Sequence, residues 1–117
     1  MTDIQRTHVE ARYSDSSSFN GIVFLAGQVS SVTGGIEAQT RDVLATIDRL
    51  LAEVGSSKAR ILMAQIFLSD LADFGGMNEV WDAWVVPGHT PCRATVQAQL
   101  ARTDWKIEVV VTAARGQ

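Results

Sequence analysis

The stretch Ile61-Leu62-Met63-Ala64-Gln65-Ile66-Phe67-Leu68 is apolar on both faces apart from Gln65. A run of this length and kind reads as a strand through the middle of a sheet with both sides covered. On its N-terminal side, Ile36, Val43, Leu44, Ile47, Leu50, Leu51 and Val54 fall on one helical stripe opposite a charged face, which predicts a helix from about 36 to 54. Gly34-Gly35 precedes that helix, and Gly55 follows it where a left-handed residue closes a last turn without Cβ strain. On the C-terminal side a second helix is expected to start near Asp73 as a cap and to turn Phe74, Met77, Val80, Trp81 and Trp84 inward. Pro87-Gly88 stops it, and Gly75-Gly76 weakens its first turn.

Further strands are expected over Gly21 to Val29, Ala94 to Leu100 and Lys106 to Ala113, with the central one running from Arg60. A weaker strand, Ile4 to Arg12, opens the chain, and Ser14 to Ser18 reads as a polar turn. In Ala94, Val96, Ala98 and Leu100 the apolar positions alternate with Thr95, Gln97 and Gln99, and the apolar set is expected to face the helices. The order ββαβαββ folds most economically as an α+β domain, a mixed sheet with both helices on one face. A second sheet face carrying residues such as Val23, Ile66 or Val111 does not stay in water, so a closed homo-oligomer is expected.

With 117 residues, 46% hydrophobic and 20% charged, the chain fits one domain spanning 1–117 and needs neither disulfide nor structural metal to fold. The net charge of -3 argues against a sequence-independent nucleic-acid binder, whose affinity comes from phosphate neutralisation. Cys92 is the only cysteine, which makes a reducing cytoplasm the expected compartment. Neither a signal peptide nor an apolar run of roughly 18 residues is visible, so no membrane partner is expected.

Arg93 sits where a loop enters an alternating strand, a place from which a rigidly held guanidinium can pair with a ligand carboxylate. Read from spacing alone, a surface charge is the commoner outcome for such an arginine. Glu108 lies on the polar parity of the last strand, where it can orient water or simply pair with Lys106. His89 and Cys92 supply one imidazole and one thiol, short of the three or four ligands zinc takes, and no metal site is expected. Gly27-Gln28 ends an apolar strand and reads either as a close backbone approach or as a bulge.

Taken together, Gly27-Gln28, Gln39-Thr40, Gly55, the run Phe67 to Phe74, Met77-Asn78, Pro91-Cys92-Arg93 and Lys106-Ile107-Glu108 resemble the YjgF/RidA family over nearly the whole chain. The segments Ala11 to Asp15 and Trp81 to Val86 look more like its YoaB-type branch. The resemblance implies a chorismate-mutase-like fold and a homotrimer with small-molecule sites in the clefts between subunits. It also implies hydrolysis of reactive enamines or imines, such as 2-aminoacrylate, to a 2-oxo acid and ammonia without a cofactor. By the same resemblance Arg93 matches the carboxylate-binding arginine, Glu108 the glutamate that positions water, and Tyr13 the tyrosine beside the ligand. Gly27, Asn78 and Thr95 match pocket positions, Thr95 standing where the family usually has cysteine and Ala26 where it usually has serine. A different class of protein, a trimer that binds a 2-oxo acid or amino acid and performs no chemistry, fits the same residues.

If the last two strands form a hairpin closed by Arg102 to Trp105, Glu108 pairs near Gln99 and Arg93 lies on the order of 20 Å away. On that reading Arg93 and Glu108 of one site come from different subunits.

Overall fold

The computed structural model describes residues 3–116. Among them the chain forms β1 (Gln5–Thr7), β2 (Ser16–Phe19), β3 (Ile22–Leu25), β4 (Gln28–Val29), α1 (Ile36–Glu53), β5 (Ile61–Leu68), α2 (Phe74–Trp84), β6 (Cys92–Gln97) and β7 (Ile107–Ala114). The strands make one mixed sheet in the order β1-β2-β3-β7-β5-β6, with β4 also pairing β7. All pairs are antiparallel except β5 with β6, which are parallel and joined by the α2 crossover.

Both helices pack on one sheet face, as the apolar stripes require. Every residue of the first stripe, Ile36 through Val54, is buried. They meet Val23, Leu25, Ala64, Ile66, Leu68, Ile107, Val109, Val111 and Ala113 in a single core. Gly55, at φ +77°, ends α1 in the left-handed region, where glycine carries no Cβ penalty. Gly76 has a different reason to be glycine: a Cβ there would stand 2.7 Å from Ile36 Cγ2, so its absence lets α2 approach the start of α1. Asp73 makes no capping hydrogen bond. Asp70 caps instead, accepting from Ala72 N at 2.9 Å in the short turn before α2.

The strands depart from the sequence reading in several places, beginning with the first, which spans only Gln5–Thr7 because His8 turns at φ +51°. Ser16–Phe19 is a strand rather than a turn, because buried Ser16 finds a hydroxyl partner in Thr7 at 2.6 Å and small side chains fit beneath the hairpin. Gly21 to Val29 breaks at Ala26-Gly27 into β3 and β4. Most consequentially, β6 and β7 are not a hairpin. The 98–106 connection carries the chain across β5, so that β7 inserts between β3 and β5.

The register of β6 also reverses its faces. Arg93, Thr95 and Gln97 pair with Ala64, Ile66 and Leu68, whose side chains point at the helices, so Ala94 and Val96 lie on the uncovered face. Val23, Ile66 and Val111 belong to the helix-covered core. The uncovered face carries Phe24, Leu62 and Val96 instead, 52%, 47% and 47% exposed.

Gln39 ties this arrangement together from inside α1. Its side chain is 1% exposed, donates to the Gly34 and Asp104 carbonyls and accepts from Lys106 N at 2.9 Å. Replacing it by leucine keeps the bulk and strands two backbone groups beside β7. Gln39→Leu is expected to lower unfolding free energy by about 2 kcal/mol in urea denaturation.

Candidate functional site

The sequence-predicted residues fall into two groups, one on each side of the sheet. On the helix side, Phe74, Asn78 and Trp81 recur at i, i+4 and i+7 and so share one stripe of α2. That stripe overhangs the edge strand β6 and receives Arg93. Arg93 Nη1 donates to Asn78 Oδ1 at 2.8 Å, and its guanidinium carbon lies 5.3 Å from the Trp81 ring centre and 5.9 Å from that of Phe74. Two aromatic faces and one amide therefore hold a cation with hydrogen-bonding capacity left over, a geometry suited to an anionic ligand. Phe74 is 43% exposed rather than turned into the core, because it forms the outer wall of this cradle. Thr95, two residues along the same strand face, has a buried hydroxyl with no hydrogen-bond partner among the described residues.

On the opposite face, Tyr13, Gly27 and Glu108 line one cleft of about 450 Å³, together with Gln28, Ala101 and Trp105. Glu108 alternates with buried Ile107 and Val109, so the pleat turns its carboxylate away from the core. Its carboxylate occupies the space a Cβ at Gly27 would need, which accounts for glycine there without invoking a turn. A second groove of about 500 Å³, between α1 and α2 and floored by Leu44, Val80 and Trp84, contains none of these residues.

Arg93 and Glu108 of one chain do not share a pocket. Arg93 is level with Ala64 and Glu108 with Phe67 across β5, so their Cα atoms stand about 14 Å apart by strand spacing. The separation is shorter than a hairpin would give, yet the side chains point to opposite faces of the sheet.

The loop carrying Tyr13 is fastened to the end of α1. His8, at φ +51°, places its Nε2 2.7 Å from Glu53 Oε1, and Glu10 N donates to the Tyr13 carbonyl at 2.8 Å. The hydrogen bond to Glu53, then the charge of Glu53, raises the His8 pKa above 6.5. A raised folded-state value means the stabilisation is full below the unfolded pKa and fades as pH rises through the folded one. His8→Gln should therefore be less stable than the parent at pH 6, the gap closing by pH 9; thermal unfolding at the two pH values checks it.

The family-level comparison agrees with this architecture. Residues 3–115 match the family described as endoribonuclease L-PSP. A RutC family protein YoaB from Escherichia coli K12 is 44% identical over 111 residues, covering 95% of this chain and 97% of that protein. The crystal structure of a YjgF family member from Neisseria meningitidis superimposes with a TM-score of 0.98 at 47% identity, covering 99% of this chain and 98% of that one. Reactive Intermediate Deaminase A of Arabidopsis thaliana chloroplasts is 33% identical over 104 residues, 83% of this chain and 55% of that protein. The chain is thus a mixed-sheet α+β domain of the L-PSP class. Within that class it belongs to the YjgF/RidA family, alongside the YoaB-type proteins. No helix among the described residues is long and apolar enough to cross a membrane.

Sequence reasoning singled out Arg93, Asn78 and Thr95 but not the ring pair around the guanidinium; the 74, 78, 81 spacing was the available signal. It also passed over Trp105. If the Thr95 hydroxyl serves a ligand rather than the fold, Thr95→Val leaves stability unchanged or raises it by up to about 1 kcal/mol in urea denaturation, since no internal hydrogen bond is lost.

Proposed function

We propose that this protein is an enamine/imine deaminase of the cytoplasm, converting 2-aminoacrylate-type intermediates to 2-oxo acids and ammonia without a cofactor. The observation that carries this reading is a pre-organised guanidinium on one face of the sheet together with a carboxylate seated over a glycine on the other. The likeness to a protein named Reactive Intermediate Deaminase A supports it.

Arg93, backed by Asn78 and the Thr95 hydroxyl, binds the substrate carboxylate and fixes the position of the neighbouring imine carbon. Protonation of the enamine carbon by solvent gives the iminium, whose C=N carbon is open to water. Glu108 accepts a proton from that water as its oxygen bonds to the carbon. Glu108 then passes that proton to nitrogen and, as the C–N bond breaks and ammonia leaves, takes up the hydroxyl proton while the C=O of the 2-oxo acid forms, later returning it to solvent. Tyr13 and the backbone at Gly27 line the approach. Orientation and one proton relay suffice, because the iminium carbon is already electrophilic.

A substrate of three or four carbons does not span two faces of one sheet. The reading therefore takes Arg93 from one subunit and Glu108 from its neighbour in a homotrimer. The exposed Phe24, Leu62 and Val96 on the uncovered face support such an assembly, because an apolar patch of this kind is ordinarily covered by another copy.

Ammonia release from enamines generated by a serine or threonine dehydratase tests the proposal. The expected result is acceleration over the spontaneous rate, cut at least tenfold (about 1.4 kcal/mol) in Arg93→Ala. Glu108→Gln should lower kcat about 100-fold while leaving 2-oxo acid affinity unchanged. No acceleration by the wild type would favour the non-catalytic binding protein.

A further inference from the structure

Trp105 is a large apolar side chain that the core does not use. It is half-buried, lies outside the hydrophobic core cluster, and lines both the Glu108 cleft and the adjoining hollow beneath Gln97 and Leu100. Yet its position is defined with unusual care for a loop residue. Buried Gln39 donates to the Asp104 carbonyl and accepts from Lys106 N, gripping the backbone immediately before and after it. Trp105 N donates to the Arg102 carbonyl at 3.3 Å, and the Arg102 guanidinium lies 5.6 Å above the indole. Arg102 is itself pinned to Asp104 by contacts of 3.1 and 3.3 Å. A buried amide and an ion pair thus present an aromatic face to the cleft that contains Glu108. Tyr13 supplies a second aromatic side chain to the same cleft.

We infer that Trp105 selects the substrate's side chain, and that the cleft favours imines with branched or aromatic side chains over three-carbon 2-aminoacrylate. The inference rests on the hydrolase reading above and names the substrate class for it. The physical ground is that 2-aminoacrylate has only a methylene to set against an indole, whereas a branched or aromatic chain removes far more apolar surface from water. A hydrophobic wall discriminates by about 10- to 200-fold per methylene group.

Two readouts separate this inference from the reading beneath it. In the first, imines are generated in situ from serine by a dehydratase and from leucine and phenylalanine by an amino-acid oxidase with O2, and their hydrolysis is followed with wild type and Trp105→Ala. The ratio of kcat/KM for the larger imines over 2-aminoacrylate should fall about tenfold or more in the variant. Trp105→Phe, which keeps a ring, should retain most of the ratio and guards against simple collapse of the loop. In the second, calorimetry measures pyruvate, 4-methyl-2-oxopentanoate and phenylpyruvate binding. Affinity should rise with side-chain size in the wild type and become flat in Trp105→Ala. Unchanged ratios in both variants, or wild-type preference for the smallest member of each series, overturn the inference. If no imine is hydrolysed but the binding series keeps its Trp105-dependent slope, the hydrolase reading falls and the role of Trp105 stands. If no imine is hydrolysed and none of the 2-oxo acids binds, both fall.

Discussion

The constraint on which the rest depends is the period of two along β7. Ile107, Val109, Val111 and Ala113 close the core from the middle of the sheet, each 1% exposed or less. With that parity committed to α1 and α2, Glu108 has only the other face available. Flanked by β3 on one side and β5 on the other, β7 cannot slip by a residue without exposing its entire core set. The placement of Glu108 is therefore a by-product of hydrophobic burial, and the glycine at 27 leaves room for the carboxylate.

The same logic, run on β6, gives the opposite result for Arg93. Its partner in register is Ala64, which points at the helices, so the guanidinium rises beside α2 and meets Phe74, Asn78 and Trp81. Helix α2 thereby serves two faces at once. Met77 and Trp81 bury against the core, while Phe74 and Asn78 reach over the sheet edge. Gln39 completes the arrangement, since its amide closes the long 98–106 connection that lets β7 cross β5. A fold-stabilising hydrogen bond and the presentation of Trp105 are in this way the same contact.

Helices were legible because a 3.6-residue stripe of apolar side chains has one reading, and the whole α1 set is buried as that stripe implies. The central strand was legible for a similar reason. What could not be read was which face of β6 points where. Ala94 and Val96 lie on the uncovered face, which also carries apolar Phe24 and Leu62, and alternation alone does not distinguish two faces that both bear apolar residues. Strand β2 escaped notice because its buried positions are Ser16 and Ser18, small hydroxyls that carry no apolar signal. The partner of β7 was hidden by the 98–106 segment, which is equally compatible with a tight return and with a crossing. Of the site, the residue types at 93 and 108 drew attention by themselves, but their roles came from family resemblance; the cradle at 74, 78 and 81 became evident only once β6 was placed beneath α2.

The central claim is that one productive site draws Arg93 from one copy and Glu108 from another. Subunit complementation tests it most directly: Arg93→Ala and Glu108→Ala proteins, each inactive alone, are unfolded together, refolded as a mixture and assayed for imine hydrolysis. Mixed trimers in which an intact Arg93 faces an intact Glu108 should restore about one quarter of the wild-type rate at equal mixing. A mixture that exchanges subunits yet stays as inactive as its components would contradict the account and return both residues to a single chain.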